Sequence, residues 1–150
     1  MAAGTGARIS EALGLKWSDV DFDNLLVTLH GKGSKDRKVP FSVELRRLLV
    51  KFQHSHSPYV FATMNGTALD RHVAARDVRK LCKRLEIKRP ERVLHAFRHT
   101  FSVNYVRKGG SVFHLQKALG HSSLDMTKRY ASLNTDDLSA VHQRLSLLAA

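Results

Sequence analysis

Four side chains that can act on a phosphodiester lie close together in the sequence. The motif L-H-A-F-R-H-T-F supplies His95 and Arg98, and the later motif L-G-H-S-S-L-D-M-T-K-R-Y supplies His121 and Tyr130. A guanidinium binds phosphate oxygens through paired hydrogen bonds, an imidazole transfers protons, and a phenol can act as a nucleophile. The combination predicts chemistry at a phosphodiester bond, with Tyr130 as the attacking group.

Each of these residues also has an ordinary structural explanation. His95 and His99 would share a helix face as zinc ligands do, but no third ligand has a recognisable spacing, and a histidine before a helix often caps it. His121, after Gly120, would interact with the negative end of a helix dipole. Tyr130 would be a half-buried aromatic residue whose hydroxyl finds a partner. Taken singly, none of them establishes a site.

The elements that must position these groups begin with a short helix near the N-terminus. Its sequence places Ile9 and Leu13 on an apolar stripe and ends at Gly14. Arg8 lies at the start of this helix, one turn before Glu11 and on the same side. The two side chains predict an exposed ion pair, which contributes only a few tenths of a kcal/mol.

A β-hairpin follows, with strands predicted at residues 25–30 and 37–40 and a turn that is rich in glycine and lysine. The turn carries Lys32 and Lys35, and its glycine spacing differs from that of nucleotide-binding loops. A basic hairpin is better suited to contact with a polyanion, or to placing one lysine beside a reacting group. Residues 59–61 are predicted to form one short strand that would join the hairpin as a third.

The charge of the chain indicates its class of partner. It has 25 lysines and arginines against 13 acidic residues, a net charge of +12. This imbalance is typical of a nucleic-acid partner, whereas a membrane partner is disfavoured because no long apolar run and no signal peptide is found. The sequence therefore predicts a soluble, intracellular protein. The candidate DNA-contacting cations are Lys35, Arg37, Arg76, Arg79 and Lys83.

Apolar spacing defines the inner faces of the predicted helices. One helix is capped by Ser42, and its predicted core stripe is Leu45, Leu48, Leu49 and Phe52. A second helix, from about residue 69 to 85, holds the single cysteine, Cys82, which is predicted to be buried with Val78, Leu81 and Leu85. A short helix toward Tyr130 would be capped by Ser122 or Ser123.

The predicted fold class is α+β and mainly helical, with a small three-stranded antiparallel sheet, in one domain of residues 1–150. The last predicted helix, residues 135–148, is amphipathic. It would pack either on its own domain or in a groove of a neighbouring subunit, and the sequence leaves both open.

Six residues, taken in order, resemble the active-site signature of the tyrosine recombinases, the family also called phage integrases. The residues are Arg8 in G-A-R-I-S-E, Lys32 in G-K-G, His95 and Arg98 in H-A-F-R-H, His121 in L-G-H-S-S, and Tyr130 after the last motif. The resemblance extends from about residue 4 to residue 138. It implies the catalytic fold of that family.

The resemblance implies a role for each residue. Arg8 and Arg98 would bind the non-bridging oxygens of the scissile phosphate and stabilise the transition state. Tyr130 would attack the phosphorus and form a 3′-phosphotyrosine bond, while His95 accepts its proton. Lys32 would be the general acid that protonates the departing 5′ oxygen.

Further residues take supporting roles in the family's site. His121 would hydrogen-bond the phosphate, Glu11 would support the site from behind, and His99 would help to order it. Lys35 is the less favoured substitute for Lys32 as the acid. The resemblance implies no metal and no cofactor, because the arginines supply the charge that metal ions supply elsewhere.

The family also implies partners and a setting. Double-stranded DNA would be the substrate, and four protomers would form a tetrameric synapse in which the helix at residues 135–148 passes to a neighbour. Family members carry more helix before Arg8 and a separate DNA-binding domain before that, so the sequence predicts an N-terminally truncated catalytic domain without its core-binding domain. A bacterial, phage or mobile-element protein of the cytoplasm, associated with the nucleoid, is expected.

Three rival interpretations remain at this point. A recombinase-derived module that binds DNA without cutting it would share the charge and the fold. A type IB topoisomerase-like enzyme would use the same nucleophile without exchanging strands, although the L-G-H-S-S spacing and the small size favour a recombinase. The nine histidines could also belong to a zinc protein.

Overall fold

The computed structural model describes residues 1–31, 33, 35–53 and 57–131. The chain divides into two units, Met1–Phe101 and Ser102–Ala150. The elements of the first unit are α1 (Ala2–Thr5), α2 (Ile9–Leu13), a 3-10 helix (Trp17–Asp19), β1 (Val20–Asp21), β2 (Leu26–Leu29), β3 (Arg37–Pro40), α3 (Val43–Phe52) and α4 (Arg71–Arg84). Helix α5 (Val93–Arg107) begins in the first unit and ends in the second, which also contains α6 (Val112–Leu119) and α7 (Asp125–Ala131).

The sheet has the strand order β1-β2-β3 with antiparallel neighbours, so the predicted fold class with its three-stranded sheet is confirmed. Val27 of β2 and its partner Val39 of β3 are both buried. The third strand predicted at residues 59–61 is wrong, because β1 occupies the edge beside β2. That stretch bonds instead to the segment after α2, where the Val60 amide donates to the Leu15 carbonyl at 2.9 Å.

Local signals set several helix ends. The Leu45 amide donates to the Ser42 hydroxyl at 3.3 Å, which confirms Ser42 as the cap of α3. Asp70 caps α4 by accepting from the His72 amide at 2.7 Å. Helix α6 ends at Gly120, whose φ of 63° lies in the left-handed region that glycine adopts without strain.

Helix α7 starts without a serine at its cap position. The amides of Thr127 and Lys128 donate to the Leu124 carbonyl at 2.8 and 2.9 Å, so the helix begins directly after Leu124. The predicted cap by Ser122 or Ser123 is therefore wrong, because both residues precede the residue whose carbonyl opens the helix.

The apolar core of the first unit joins α2, α4 and the start of α5. One buried cluster of this core consists of Leu13, Ala74, Ala75, Val93 and Leu94. Leu49 is buried as predicted, and Cys82 is half-buried. Four predicted core positions are exposed instead, namely Leu48, Phe52, Leu81 and Leu85. Helix α4 meets the core through the two alanines of its first half and through Val78, which is partly buried against them, whereas Leu81 and Leu85 are exposed.

The second unit buries residues from all three of its helices. They are Ser102, Val106, Leu115, Leu119, Thr127 and Tyr130. The C-terminal helix predicted at residues 135–148 lies outside the described residues. Within the described part of the chain, no helix combines the length and the apolar character that crossing a bilayer requires.

Candidate active site

Arg8 and Glu11 interlock at the first turn of α2. Arg8 is the cap residue of the helix, and its backbone amide donates to Glu11 Oε2 at 2.7 Å while its Nη1 donates to Oε1 at 3.0 Å. The side chain of Arg8 remains 44% exposed, whereas that of Glu11 is 4% exposed. One buried carboxylate thus fixes both the backbone and the side chain of Arg8 and leaves part of the guanidinium facing outward.

A second arginine completes this arrangement. Arg37, at the start of β3, donates through Nη1 and Nη2 to the two oxygens of Glu11, each at 2.8 Å. Its side chain is 13% exposed, so the paired geometry is shielded from water. The exposed ion pair predicted for Arg8 and Glu11 is therefore wrong, because Glu11 is buried between two guanidinium groups.

The two arginines decide the charge state of Glu11. Burial alone would raise the pKa of this carboxyl, but hydrogen bonds from the Arg37 side chain and from the Arg8 amide, together with the Arg37 charge, outweigh that effect. The pKa of Glu11 consequently lies below its ordinary value. The carboxylate stays ionised and balances part of the positive charge of the two arginines.

Arg98 is buried in the second turn of α5 and is tied to the segment that carries Arg8. Its Nη1 donates to the Gly6 carbonyl at 2.7 Å. Gly6 has a φ of 69° and closes α1 at a position where a side chain would be strained. Since Gly6 is two residues before Arg8, one short segment links the two arginines of the predicted site.

His95 and His99 lie on the first two turns of α5, and both are exposed. His95 borders a cavity of about 540 Å³ between α4 and the start of α5. The other basic groups that line this cavity are Arg71, His72, Arg79 and Arg92. The histidine predicted as the proton acceptor therefore faces an open space with a strongly basic wall.

In the second unit, His121 follows the left-handed Gly120 and is half-buried. Its Nδ1 lies 2.8 Å from Oγ1 of Thr127, a fully buried residue of α7. The bond fixes the plane of the imidazole, so Thr127 orients a predicted catalytic residue. Sequence reasoning missed Thr127, and its only signal was its place on the helix after the L-G-H-S-S motif.

Tyr130 lies on α7 and is 4% exposed. Burial of this kind gives the phenol a defined position on its helix. The predicted attack requires a more exposed phenol than this structure shows.

The remaining predicted cations have different surroundings. Lys35, Arg76, Arg79 and Lys83 are exposed, and Arg76 forms a pair with Asp77 at 3.1 Å. Arg37 is engaged by Glu11, which favours a supporting role over direct DNA contact. Lys32 lies outside the described residues, as do the histidines at positions 54 and 56. Among the described residues, no group of three or more His, Cys, Asp or Glu side chains is placed to hold a metal ion.

A family model described as the phage integrase family matches residues 1–137. The chain belongs to the phage integrase family. Similar relatives include tyrosine recombinase XerA of Pyrococcus horikoshii, 32% identical over 97% of this chain and 52% of its own length. Tyrosine recombinase XerC of Brucella melitensis biotype 1 is 34% identical over 94% of this chain and 47% of its own length. The chain thus spans about half the length of the curated relatives it matches.

Solved structures of integrase-family proteins share the fold. The crystal structure of XerA recombinase gives a TM-score of 0.78 at 29% identity, covering 95% of this chain and 54% of that one. The catalytic domain of bacteriophage HP1 integrase gives 0.73 at 29% identity, covering 99% and 81%. The Tn1549 transposon integrase in complex with circular intermediate DNA gives 0.75 at 26% identity, covering 97% and 57%. These likenesses confirm the predicted family and its catalytic-domain fold.

Proposed function

We propose that this chain is the catalytic domain of a site-specific DNA recombinase, with residues 1–150 acting together, and that it cleaves and rejoins DNA strands through a 3′-phosphotyrosine intermediate. The observation that carries the proposal is the anchoring of Arg8 and Arg98. Arg37 holds Glu11, Glu11 fixes Arg8, and the segment before Arg8 is bonded to Arg98. Two preorganised guanidinium groups suit a phosphate that gains negative charge in its transition state.

The proposed reaction balances without a further reactant. The Tyr130 oxygen attacks the phosphorus, its proton passes to His95, and the bond from phosphorus to the 5′ oxygen breaks. Lys32 gives a proton to the departing oxygen, and His121, oriented by Thr127, donates to the phosphate. Ligation is the same sequence in reverse, with a 5′-hydroxyl as the attacking group.

The proposed substrate is double-stranded DNA, in the cytoplasm at the nucleoid. The net charge of +12 and the exposed cations of α4 support this, and the solved relative from transposon Tn1549 is in complex with DNA. Binding is expected to weaken steeply as the salt concentration rises, because each phosphate contact releases counterions.

A covalent-trapping assay tests the nucleophile. A pool of duplexes with nicks at varied positions lets the short product diffuse away, which traps the intermediate. We expect an adduct that survives SDS and is destroyed by protease with the wild type, and no adduct with Tyr130→Phe at equal DNA binding. Sequencing the trapped DNA would locate the cleaved bond.

The burial of Tyr130 favours one alternative function, a module that binds DNA without cutting it. Under this alternative, the wild type and Tyr130→Phe would both bind DNA with the same salt dependence, and neither would form an adduct. That result would exclude the recombinase proposal for the isolated chain.

We also propose that four protomers assemble on two DNA sites through residues 135–148. Deleting these residues should leave strand cleavage on nicked duplexes and abolish the assembly of a synapse, measured by the mass of the DNA complex in solution. Recombination at the wild-type level after the deletion would refute this assignment.

A further inference from the structure

His30 contacts two carboxylates from different parts of the first unit. It directly follows β2, and its Nδ1 lies 2.9 Å from Oδ2 of Asp36, the residue before β3. Its Nε2 lies 3.2 Å from Oδ1 of Asp19 in the 3-10 helix. One ring therefore joins the two ends of the connection between β2 and β3 and ties both to a third element.

The Asp19 side of this contact is itself held in place. The other oxygen of Asp19, Oδ2, accepts from the Lys16 backbone amide at 2.9 Å, at the cap of the 3-10 helix. Asp19 thus offers His30 a carboxylate fixed to the body of the unit. By contrast, Asp36 belongs to the connection.

Both contacts together require a protonated ring. A neutral imidazole carries one N–H, and ionised carboxylates only accept hydrogen bonds, so a neutral ring can satisfy one of the two aspartates. The hydrogen bonds to Asp19 and to Asp36 raise the pKa of His30 above its ordinary value of about 6.5. In the described part of the chain, the charged groups that face the ring are these two carboxylates.

From this geometry we infer that His30 is a positioning residue, a pH-dependent clamp that holds both ends of the β2–β3 connection against the 3-10 helix. The connection runs from His30 to Asp36, and Lys32 is among its residues in sequence. The clamp fixes the distance between His30 and Asp36, the first and last residues of this connection. Its effect on the reaction rests on the proposed function, in which Lys32 protonates the departing 5′ oxygen.

The direction of the pH dependence follows from the raised pKa. Below about pH 6.5 the ring is protonated in both the folded and the unfolded chain, and the clamp contributes its full stabilisation. As the pH rises through the higher, folded-state pKa, the ring loses a proton and one of its two contacts. The clamp is therefore closed below this raised pKa and opens as the pH rises above it.

Titration of the His30 ring by NMR of the labelled whole chain tests the clamp directly. We expect the midpoint in the wild type to fall in Asp36→Asn and in Asp19→Asn and to stay unchanged in Asp77→Asn, an exposed control on α4. His30→Gln identifies the signal by its loss. A wild-type midpoint near 6.5 that neither aspartate variant shifts would overturn the clamp.

A pair of substrates tests its use in the reaction. One duplex carries the ordinary 5′ oxygen at the bond located by trapping, and the other carries sulfur there. A thiol, with a pKa near 8.5, departs without a general acid. We expect His30→Gln to slow cleavage of the oxygen duplex about tenfold, less than the 10²–10⁴-fold that a general acid contributes, and to leave the sulfur duplex nearly unaffected.

The outcomes separate the two proposals. Equal slowing of both duplexes by His30→Gln would mean a general loss of structure and would overturn the positioning role. No adduct on either duplex with the wild type would refute the proposed function, and the link to Lys32 with it. The ring titration would still decide whether the clamp exists.

Discussion

The two groups of candidate catalytic residues are held in place by different means. In the first unit, charged hydrogen bonds fix Arg8 to a buried carboxylate and Arg98 to a backbone carbonyl. In the second unit, His121 is oriented by a neutral hydroxyl, and Tyr130 is held by burial on a short helix. The groups that would bind a phosphate are therefore preorganised, whereas the group that would attack it must first be uncovered.

The largest effect is expected from removing the carboxylate that organises the first unit. Glu11→Ala leaves the shielded guanidinium of Arg37 without its partner, and we expect a loss of about 3–5 kcal/mol in the free energy of unfolding. Urea denaturation followed by circular dichroism would measure it. The matched control is Asp77→Ala, which removes a pair more than half exposed on both sides and should cost little. A loss as small as that of the control would show that water solvates both guanidinium groups when Glu11 is absent.

The next effect concerns the geometry of the same pair rather than its charge. Arg37→Lys keeps the positive charge but loses the two parallel bonds to Glu11, and we expect a loss of about 1.5–3 kcal/mol at neutral pH. Because the folded-state pKa of Glu11 is lowered, the stability it contributes is present above its unfolded value and is lost as the pH falls through the folded pKa. In the variant, Glu11 should protonate at a higher pH, which carbon NMR of its carboxyl would show. An unchanged titration would assign the shift to Arg8 instead.

A smaller effect is expected in the second unit. Thr127→Val removes the bond to His121 and keeps the side-chain shape, so we expect a loss of about 0.5–1.5 kcal/mol in stability. Cleavage in the trapping assay should slow about 3- to 10-fold, since about 1.4 kcal/mol corresponds to a factor of ten. Thr67→Val is the matched control, because it removes a hydroxyl contact that is also 2.8 Å long but lies in an exposed loop. Equal cleavage rates in the two variants would show that cleavage does not depend on the hydrogen bond between Thr127 and His121.

The smallest effect is expected at the surface of α7. Lys128 pairs with Asp125 at 2.6 Å, but both side chains are mostly exposed. Lys128→Ala should therefore leave the thermal midpoint unchanged within error in a scanning calorimeter. A clear drop would mean that surface charges, rather than the burial of Thr127 and Tyr130, stabilise this helix.

Much of the fold follows from local signals in the sequence. Ser42 and Gly14 stand at helix ends because a cap or a glycine acts on its own neighbours. The exposure of Leu48 and Phe52 was missed, since a helical stripe shows which residues share a face but not how much of that face finds a partner. The prediction that residues 59–61 join the hairpin is wrong for the same reason, because strand propensity does not show which segment a strand pairs with.

In the candidate site, too, local patterns identify some residues, while contacts between distant residues were missed. The motif pattern predicted Arg8, Arg98 and His121 as site residues. The family to which the pattern pointed is confirmed, and the roles of the three residues stay predictions. Arg37 was predicted as a DNA contact because nothing local to it shows its bond to Glu11, which lies 26 residues earlier. The contacts that orient site residues join segments distant in sequence. Tertiary packing decides which segments meet, and the spacing of residues in a motif does not show it.

The hydrogen bond from Arg98 to Gly6 joins residues 92 positions apart and so spans nearly the whole first unit. Contacts of such long range form only after the intervening chain has folded, because the entropy of closing a long loop must first be offset. A nascent chain that ends before α5 already carries Arg8 and the hairpin but cannot complete the arginine pair. The order of synthesis thus delays the bond between Arg98 and the segment before Arg8 until α5 has been made.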